Sequence, residues 1–200
     1  VIDGIFARSE VDWAEPSRPA PPDPAAMDAD RSVIPAIGDD GALFAVGKME
    51  AHRRGILHQA VSVFVFSGDE LLIQQRAAHK YHCGSLWANT CCTHPHWGEG
   101  VHDAAMRRVR EELGFSVPLT AAREFTYRVA VTDGLVEHER VQVFRGVADK
   151  RRLRMDINPD EVQATLWVSP DALRRGASYG TKELAPWFRI YLQHWDQLGL

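Results

Sequence analysis

With 200 residues, 45% of them hydrophobic and 25% charged, the chain has the size and composition of one ordinary globular domain. A formal charge of −4 gives no general reason to expect nucleic acid as a partner and leaves anion binding to local clusters of cations. No apolar run approaches the roughly 20 residues of a membrane span, and no signal-type apolar region opens the chain; three cysteines, two of them adjacent, do not read as a disulfide framework, so a reducing cytoplasm is the expected location.

Residues 13–32 hold five prolines among alanines and acids, without periodicity. Residues 1–41 are therefore expected to be a flexible arm, and 42–200 the folded domain. His58 to Phe66, rich in β-branched and aromatic residues, predicts a buried strand, and Glu70 to Arg76 its hairpin partner across Ser67-Gly68-Asp69. Val101, Ala105, Val109 and Leu113 recur at a spacing of four, a helical stripe that Gly114 is placed to end. Two strands follow, Ala122 to Val131 and Val136 to Val147, separated by a turn at Thr132-Asp133-Gly134, then a short one from Val162 to Val168. Ser169 and Pro170 are the N-cap and first position of another helix, and an aromatic-rich helix is expected from about Lys182 to Leu198. The interleaving predicts a mixed α/β domain with helices flanking a sheet.

Several groups carry chemistry. On the helix Val101–Leu113, Arg108 and Glu112 share a face, and a carboxylate beside a guanidinium suits Mg²⁺ held jointly with a diphosphate; solvated ion pairs are the plain alternative. If Cys92 to His94 is extended, both side chains fall on one face and Cys91 points away. A thiol beside an imidazole and a metal is expected to have a lowered pKa, whereas Cys83 and Cys91 are expected to be small buried hydrophobes. Glu137 and Glu139 share one face of a strand, with His138 on the other, and paired carboxylates call for a cation between them.

The segment Thr93–Phe115 resembles the Nudix box, with Glu99, Arg107, Val109, Glu111, Glu112, Gly114 and Phe115 on matching positions. It departs from the box at Thr93, where the leading glycine would stand, and at Arg108, where hydrolases of the family carry a catalytic acid. The second departure argues against pyrophosphate hydrolysis and for holding a diphosphate intact.

The run Asn89-Thr90-Cys91-Cys92-Thr93-His94-Pro95 resembles the signature of type I isopentenyl-diphosphate isomerases, a Nudix-fold family. The resemblance extends over some 150 residues from Lys48 and takes in Gly55 to Phe64, Lys80-Tyr81-His82 and Trp87. It implies a single Nudix-type domain, with a mixed sheet flanked by helices, that converts isopentenyl to dimethylallyl diphosphate through a tertiary carbocation. It implies a five-ligand site of His52, His58, His94, Glu137 and Glu139 for Mn²⁺, Zn²⁺ or Fe²⁺, among which ligand type does not choose, and Mg²⁺ on Glu112. Lys48, Arg76, Lys80 and Arg108 would grip the diphosphate. Glu139, paired with Tyr127, would deliver one proton, Cys92 as thiolate would remove another, and Trp187 would face the cation. The expected partners are the two five-carbon diphosphates, with neither nucleic acid nor a membrane span involved and the chain a monomer or weak dimer. The rival readings are a Nudix hydrolase of a nucleoside diphosphate derivative and a non-enzymatic metal-binding module.

Overall fold

A run of alternating small and large apolar residues, His58–Ser67 (β3), lies at the centre of the sheet. The structure is a computed structural model that describes residues 33–80, 82–175 and 183–200. One edge of β3 pairs in parallel with Val136–Val147 (β8), from His58 opposite Glu139 to Phe66 opposite Val147. The other edge is shared by three short antiparallel partners: Val33–Ile37 (β1) at its start, Cys91–Thr93 (β6) in the middle and Glu70–Arg76 (β4) at its end. Outside these, Leu43–Gly47 (β2) pairs with β1, Trp87–Ala88 (β5) and Val162–Val168 (β9) pair with β4, and Leu119–Ala130 (β7) pairs with β8.

Because side chains alternate along a strand, the sheet has two faces with different fates. Val61, Val63, Val65, Cys91 and Phe144 form a dry core under the helix Val101–Leu113 (α2), which packs Ala105, Val109 and Leu113 onto them. Burial of this kind is worth roughly 1.5–3 kcal/mol for each large aliphatic or aromatic side chain. Gly114 ends α2 at a φ of 71°, its N–H bonded to the Arg110 carbonyl. The opposite face carries Phe64, Val141, Val143 and Tyr127 against Pro186–Gln193 (α4), which buries Trp187, Phe188, Tyr191 and Leu192. The site lies at one end of this second face.

The helix over 101–113 and the strands over 70–76, 136–147 and 162–168 lie where the sequence places them, and Ser169 caps the helix Pro170–Arg174 (α3). The domain boundary is corrected: β1 falls within residues 1–41, yet all five of its residues are buried. The ordered sheet therefore begins by Val33, nine residues ahead of Ala42. Residues 1–32, which hold the proline-rich run, lie outside the described residues, as does Lys182. The C-terminal segment is one helix, α4, then a 3-10 turn at Trp195–Gln197. Leu184, expected to be helical, instead makes a β-bridge to Trp87.

Candidate active site

Gly55 brings the first two histidines together. The short helix Lys48–Arg54 (α1) ends at Gly55 with φ 63°, and three residues later His58 opens β3. His52 Nδ1 lies 2.6 Å from the Lys48 carbonyl and His58 Nδ1 2.7 Å from that of Ile56. A carbonyl only accepts, so both Nδ1 atoms carry hydrogen and both Nε2 lone pairs face the centre. His94, just beyond β6, brings its Nε2 to 3.1 Å from that of His58. Register supplies the carboxylates: Glu139 lies opposite His58 on β3 and opposite Tyr127 on β7, with Glu137 two residues before it on the same face.

The ligand atoms of His52, His58, His94, Glu137 and Glu139 all lie within 4.8 Å of one another. His94 Nε2 is 2.8 Å from Glu139 Oε1, and His52 Nε2 is 3.1 Å from Glu137 Oε2. That last contact lacks the direction of a hydrogen bond, leaving two buried polar atoms without a partner. Buried donors and acceptors are normally paired. Orphaned atoms, converging lone pairs and two buried carboxylates fit a divalent cation with N and O ligands.

The electrostatics of the ion-free site are uneven. Burial alone would raise the Glu139 carboxyl, but the neighbouring His58 imidazole and the hydrogen bond from the Tyr127 hydroxyl bring it down to about 2. Burial and the neighbouring Lys48, His58 and His52 push His94 well below the usual imidazole range, so it stays neutral, as a ligand must. Burial lifts the Cys92 thiol to about 12. This corrects the expectation of a lowered pKa: without an ion, desolvation, reinforced by the charges of Glu139 and Glu112, outweighs the hydrogen bonds with Ser62 and Asn89. Asn89 holds the thiol in place. Its Nδ2 donates to the carbonyls of Val63 and Cys91, both at 3.1 Å, so its Oδ1 is turned to accept the Cys92 S–H at 2.9 Å.

A narrow cleft joins these groups to the cations. Cys92, His94, Tyr127, Glu137, Glu139 and Trp187 line it, together with Lys48, Arg76, Lys80, Arg108 and Glu112. His52 and His58 lie behind this lining, fully buried. Arg108 donates to Glu112 Oε1 at 2.6 Å and also contacts Glu161, at 3.0 Å. The second Glu112 oxygen accepts from Gln74 Nε2 at 2.9 Å. The Nε atoms of Arg76 and Arg108 are buried without a hydrogen-bond partner, so each retains donor capacity for an anion. Burial, partly offset by Glu137 and reinforced by repulsion from Lys80, Arg108 and Arg76, lowers the Lys48 ammonium to about 8. The guanidinium of Arg76 sits 5.3 Å above the Trp187 ring.

Every site residue expected from the sequence is within this centre or its lining. Sequence reasoning missed His82, whose Nε2 is 2.9 Å from Glu137 Oε1, and Glu161, which pairs with Lys80 and Arg108. It also missed Gln74, Asn89, Ser62 and Tyr191. Lys80-Tyr81-His82 was one signal for His82; Glu161 sits in a loop with no pattern to mark it.

Residues 56–188 match the NUDIX domain family. The isopentenyl-diphosphate Delta-isomerase of Cereibacter sphaeroides is 49% identical over 154 residues, 76% of this chain and 86% of its own length. That of Dinoroseobacter shibae is 50% identical over 154 residues, 76% and 87% of the two chains, and that of Rhodobacter capsulatus 45% over 161 residues, 80% and 91%. Among solved structures, a Deinococcus radiodurans protein superposes with a TM-score of 0.64 at 14% identity, covering 81% of this chain and 98% of that one. The MutT protein of Methanosarcina mazei Go1 does so with 0.56 at 17% identity, covering 70% and 94%; at these identities both speak for the fold alone. The chain has a Nudix fold and belongs to the isopentenyl-diphosphate Delta-isomerase family.

Proposed function

We propose that this chain interconverts isopentenyl and dimethylallyl diphosphate, adding a proton at the terminal methylene and removing one from C2. The observation that carries the reading is a single cleft in which a thiol, Cys92, and a tyrosine-bonded carboxyl, Glu139, stand with a tryptophan beside a cluster of cations. The names of relatives that share nearly half of its residues support the same substrates. Groups that only bind metal have no use for an acid/base pair.

The His/Glu cluster would hold Mn²⁺, Zn²⁺ or Fe²⁺, and Glu112 would share Mg²⁺ with the diphosphate. When bound, these ions supply positive charge that fixes the carboxylates and neutralises the diphosphate. The remaining work falls to the chain's own residues. Lys48, Arg76, Lys80 and Arg108 grip the diphosphate, using the unpartnered Nε–H groups of the two arginines. Glu139, hydrogen-bonded by the Tyr127 hydroxyl at 2.7 Å, delivers a proton to the terminal methylene. Cys92 takes one from C2. In the ion-free site the proton rests on Cys92 and Glu139 is ionised, which is the loading that serves the reverse direction; the forward direction needs the same proton on Glu139. Trp187, 3% exposed, offers its ring to the tertiary cation, an interaction of about 2 kcal/mol when desolvated. Burial of Tyr127, Glu137 and Glu139 keeps water from trapping the cation as an alcohol.

All of these groups come from one chain, which supports a monomer or weak dimer as the working unit. Three free cysteines fit a reducing cytoplasm. Among the described residues no helix is long and apolar enough to cross a membrane. The test is proton NMR of the metal-loaded protein with isopentenyl diphosphate in D₂O. Growth of the dimethylallyl signals, with deuterium entering the carbon skeleton, is the expected result. An unchanged skeleton, with phosphate released from nucleotide-type substrates, would replace this reading by a hydrolase.

A further inference from the structure

The two oxygens of Glu137 have different surroundings. Oε2 faces His52 Nε2 at 3.1 Å and has no hydrogen-bond partner. Oε1 is engaged from the other side, where His82 Nε2 lies 2.9 Å away. An ionised carboxylate only accepts, so this nitrogen carries the hydrogen, whether the imidazole is neutral or charged. A carboxylate tied at one oxygen is no longer free to turn about its terminal bond, and the other oxygen stays aimed at the converging imidazoles.

His82 is buried in the wall of the cleft and is itself held from several sides. Its ring meets that of Trp187 edge-on at 5.8 Å between centroids and stands 6.1 Å from that of His52. Its carbonyl faces Arg76 Nη2 at 3.4 Å. The turn that carries it is built at a conformational cost. Cys83 and Ser85 have φ values of 51° and 62°, left-handed backbone that any side chain disfavours. Between them Gly84 passes so close to Ala78 that a Cβ there would lie 2.3 Å from the Ala78 carbonyl oxygen. Hydrogen bonds tie the turn back to β4: the Ser85 N–H donates to the Arg76 carbonyl at 3.1 Å, and Gln75 Nε2 to the Ser85 carbonyl at 3.0 Å. Backbone strain persists only where the surroundings fix it, and it concentrates at functional sites. The proton transfers set out above make no use of this imidazole.

We propose that His82 is a positioning residue of the metal centre, holding Glu137 by Oε1 and so presenting Oε2 to the divalent ion. The proposal rests on the reading of the His/Glu cluster as an ion site, and it requires no gain or loss of a proton by the ring. A donor behind a ligating carboxylate fixes its orientation, and losing such a partner lowers ion affinity by roughly 10- to 100-fold. Because the same ring packs against Trp187, one side chain braces both the ion's carboxylate and the aromatic wall of the cleft.

The test is a titration of the ion-stripped full chain with Mn²⁺, the free ion being read by electron paramagnetic resonance. Mg²⁺ is kept in excess to occupy the oxygen-only site at Glu112. His82→Gln retains an N–H donor at the end of its side chain and should bind Mn²⁺ within about threefold of the wild type. His82→Phe keeps a ring and His82→Met matches Gln in length, but neither carries a donor, and both should bind Mn²⁺ roughly 10- to 100-fold more weakly. Either serves as the donorless member if the other does not unfold cooperatively. A residue that only fills space would be replaced better by Phe than by Gln. Equal affinities in the Gln variant and a donorless one, whether both near the wild type or both reduced, therefore overturn the proposal. A wild-type chain that binds no Mn²⁺ overturns the ion site and the proposal with it. If the wild type binds Mn²⁺ but does not turn over isopentenyl diphosphate, the isomerase reading falls and the role of His82 is still decided by the variants.

Discussion

Arg108 is where this chain departs most sharply from a Nudix hydrolase, and Arg108→Glu tests what the departure does. Its guanidinium bonds Glu112 at 2.6 Å, Glu111 at 2.8 Å and Glu161 at 3.0 Å, with side-chain exposures of 6%, 43% and 21% for the three acids. Losing the pair with exposed Glu111 costs under about 1 kcal/mol. Losing the pair with buried Glu112 leaves an uncompensated charge, at about 3–5 kcal/mol, and the new glutamate adds repulsion. The variant should therefore be less stable by about 3–5 kcal/mol in the absence of divalent ions. Added Mg²⁺ should restore much of this, because the enlarged acid cluster binds the ion only when folded. Removing a charge-assisted hydrogen bond to the diphosphate, worth about 1.5–3 kcal/mol, should raise KM roughly 10- to 100-fold. Urea unfolding with and without Mg²⁺, beside initial rates against isopentenyl diphosphate concentration, measures both effects. An unchanged KM would remove Arg108 from the clamp, and stability indifferent to Mg²⁺ would remove Glu112 from the ion's site.

Cys92→Ala and Glu139→Gln should each abolish turnover while the chain still unfolds cooperatively; substantial activity in either sinks the two-group scheme. Lys48 ties affinity to pH. A bound diphosphate raises its pKa above the free value of about 8, so binding is strongest below that pH and weakens as pH rises through it. KM should thus be flat up to about pH 8 and then climb, and Lys48→Met should remove the climb; a wild-type KM that stays level to about pH 9.5 contradicts the assignment. Gly114→Ala places a side chain at φ 71° with its Cβ 2.4 Å from the Asp156 carbonyl oxygen. The left-handed backbone costs about 1–2 kcal/mol before the overlap is relieved, so urea unfolding should show a loss of at least about 2 kcal/mol. A loss below about 0.5 kcal/mol would mean that the Asp156 loop yields freely.

What was legible in the sequence was whatever a local period could carry. Val101, Ala105, Val109 and Leu113 mark one face of a helix because those residues alone touch the sheet. Glu137 and Glu139 were readable as a pair because strand alternation puts them on one side. β1 was not, since Val33–Ile37 adjoins a proline-rich run and its burial comes from partners at 43–47 and 58. Glu161 and His82 were hidden for the same reason: each joins the site only through a residue far along the chain, Arg108 in one case and Glu137 in the other. The ligand set itself was visible through the family resemblance, not through spacing. The Cys92 thiol shows the limit most clearly. Its neighbours in sequence suggested a lowered pKa, while its burial in a dry wall keeps the proton on sulfur.

The two faces of β3 explain how one Nudix frame carries both a stable core and so many buried polar groups. Val61, Val63 and Val65 face α2 with nothing polar to satisfy, and that side supplies apolar burial without constraint from chemistry. His58 and Ser62 alternate with them and face α4, where the sheet's register fixes Glu139 beside His58 and Cys92 beside Ser62. Placing a catalytic group on a paired strand removes rotational and translational freedom that a loop would leave. It also means that the separation between thiol and carboxyl is set by backbone hydrogen bonds across three strands, β6, β3 and β8, and cannot adjust to the substrate. The diphosphate end is built differently: Lys48, Lys80 and Arg108 come from helices and loops, and Lys80 and Arg108 pair with glutamates that an incoming phosphate can displace. On the proposed reading the cleft is rigid where protons move and exchangeable where charge is bound, dividing the two tasks between sheet and rim.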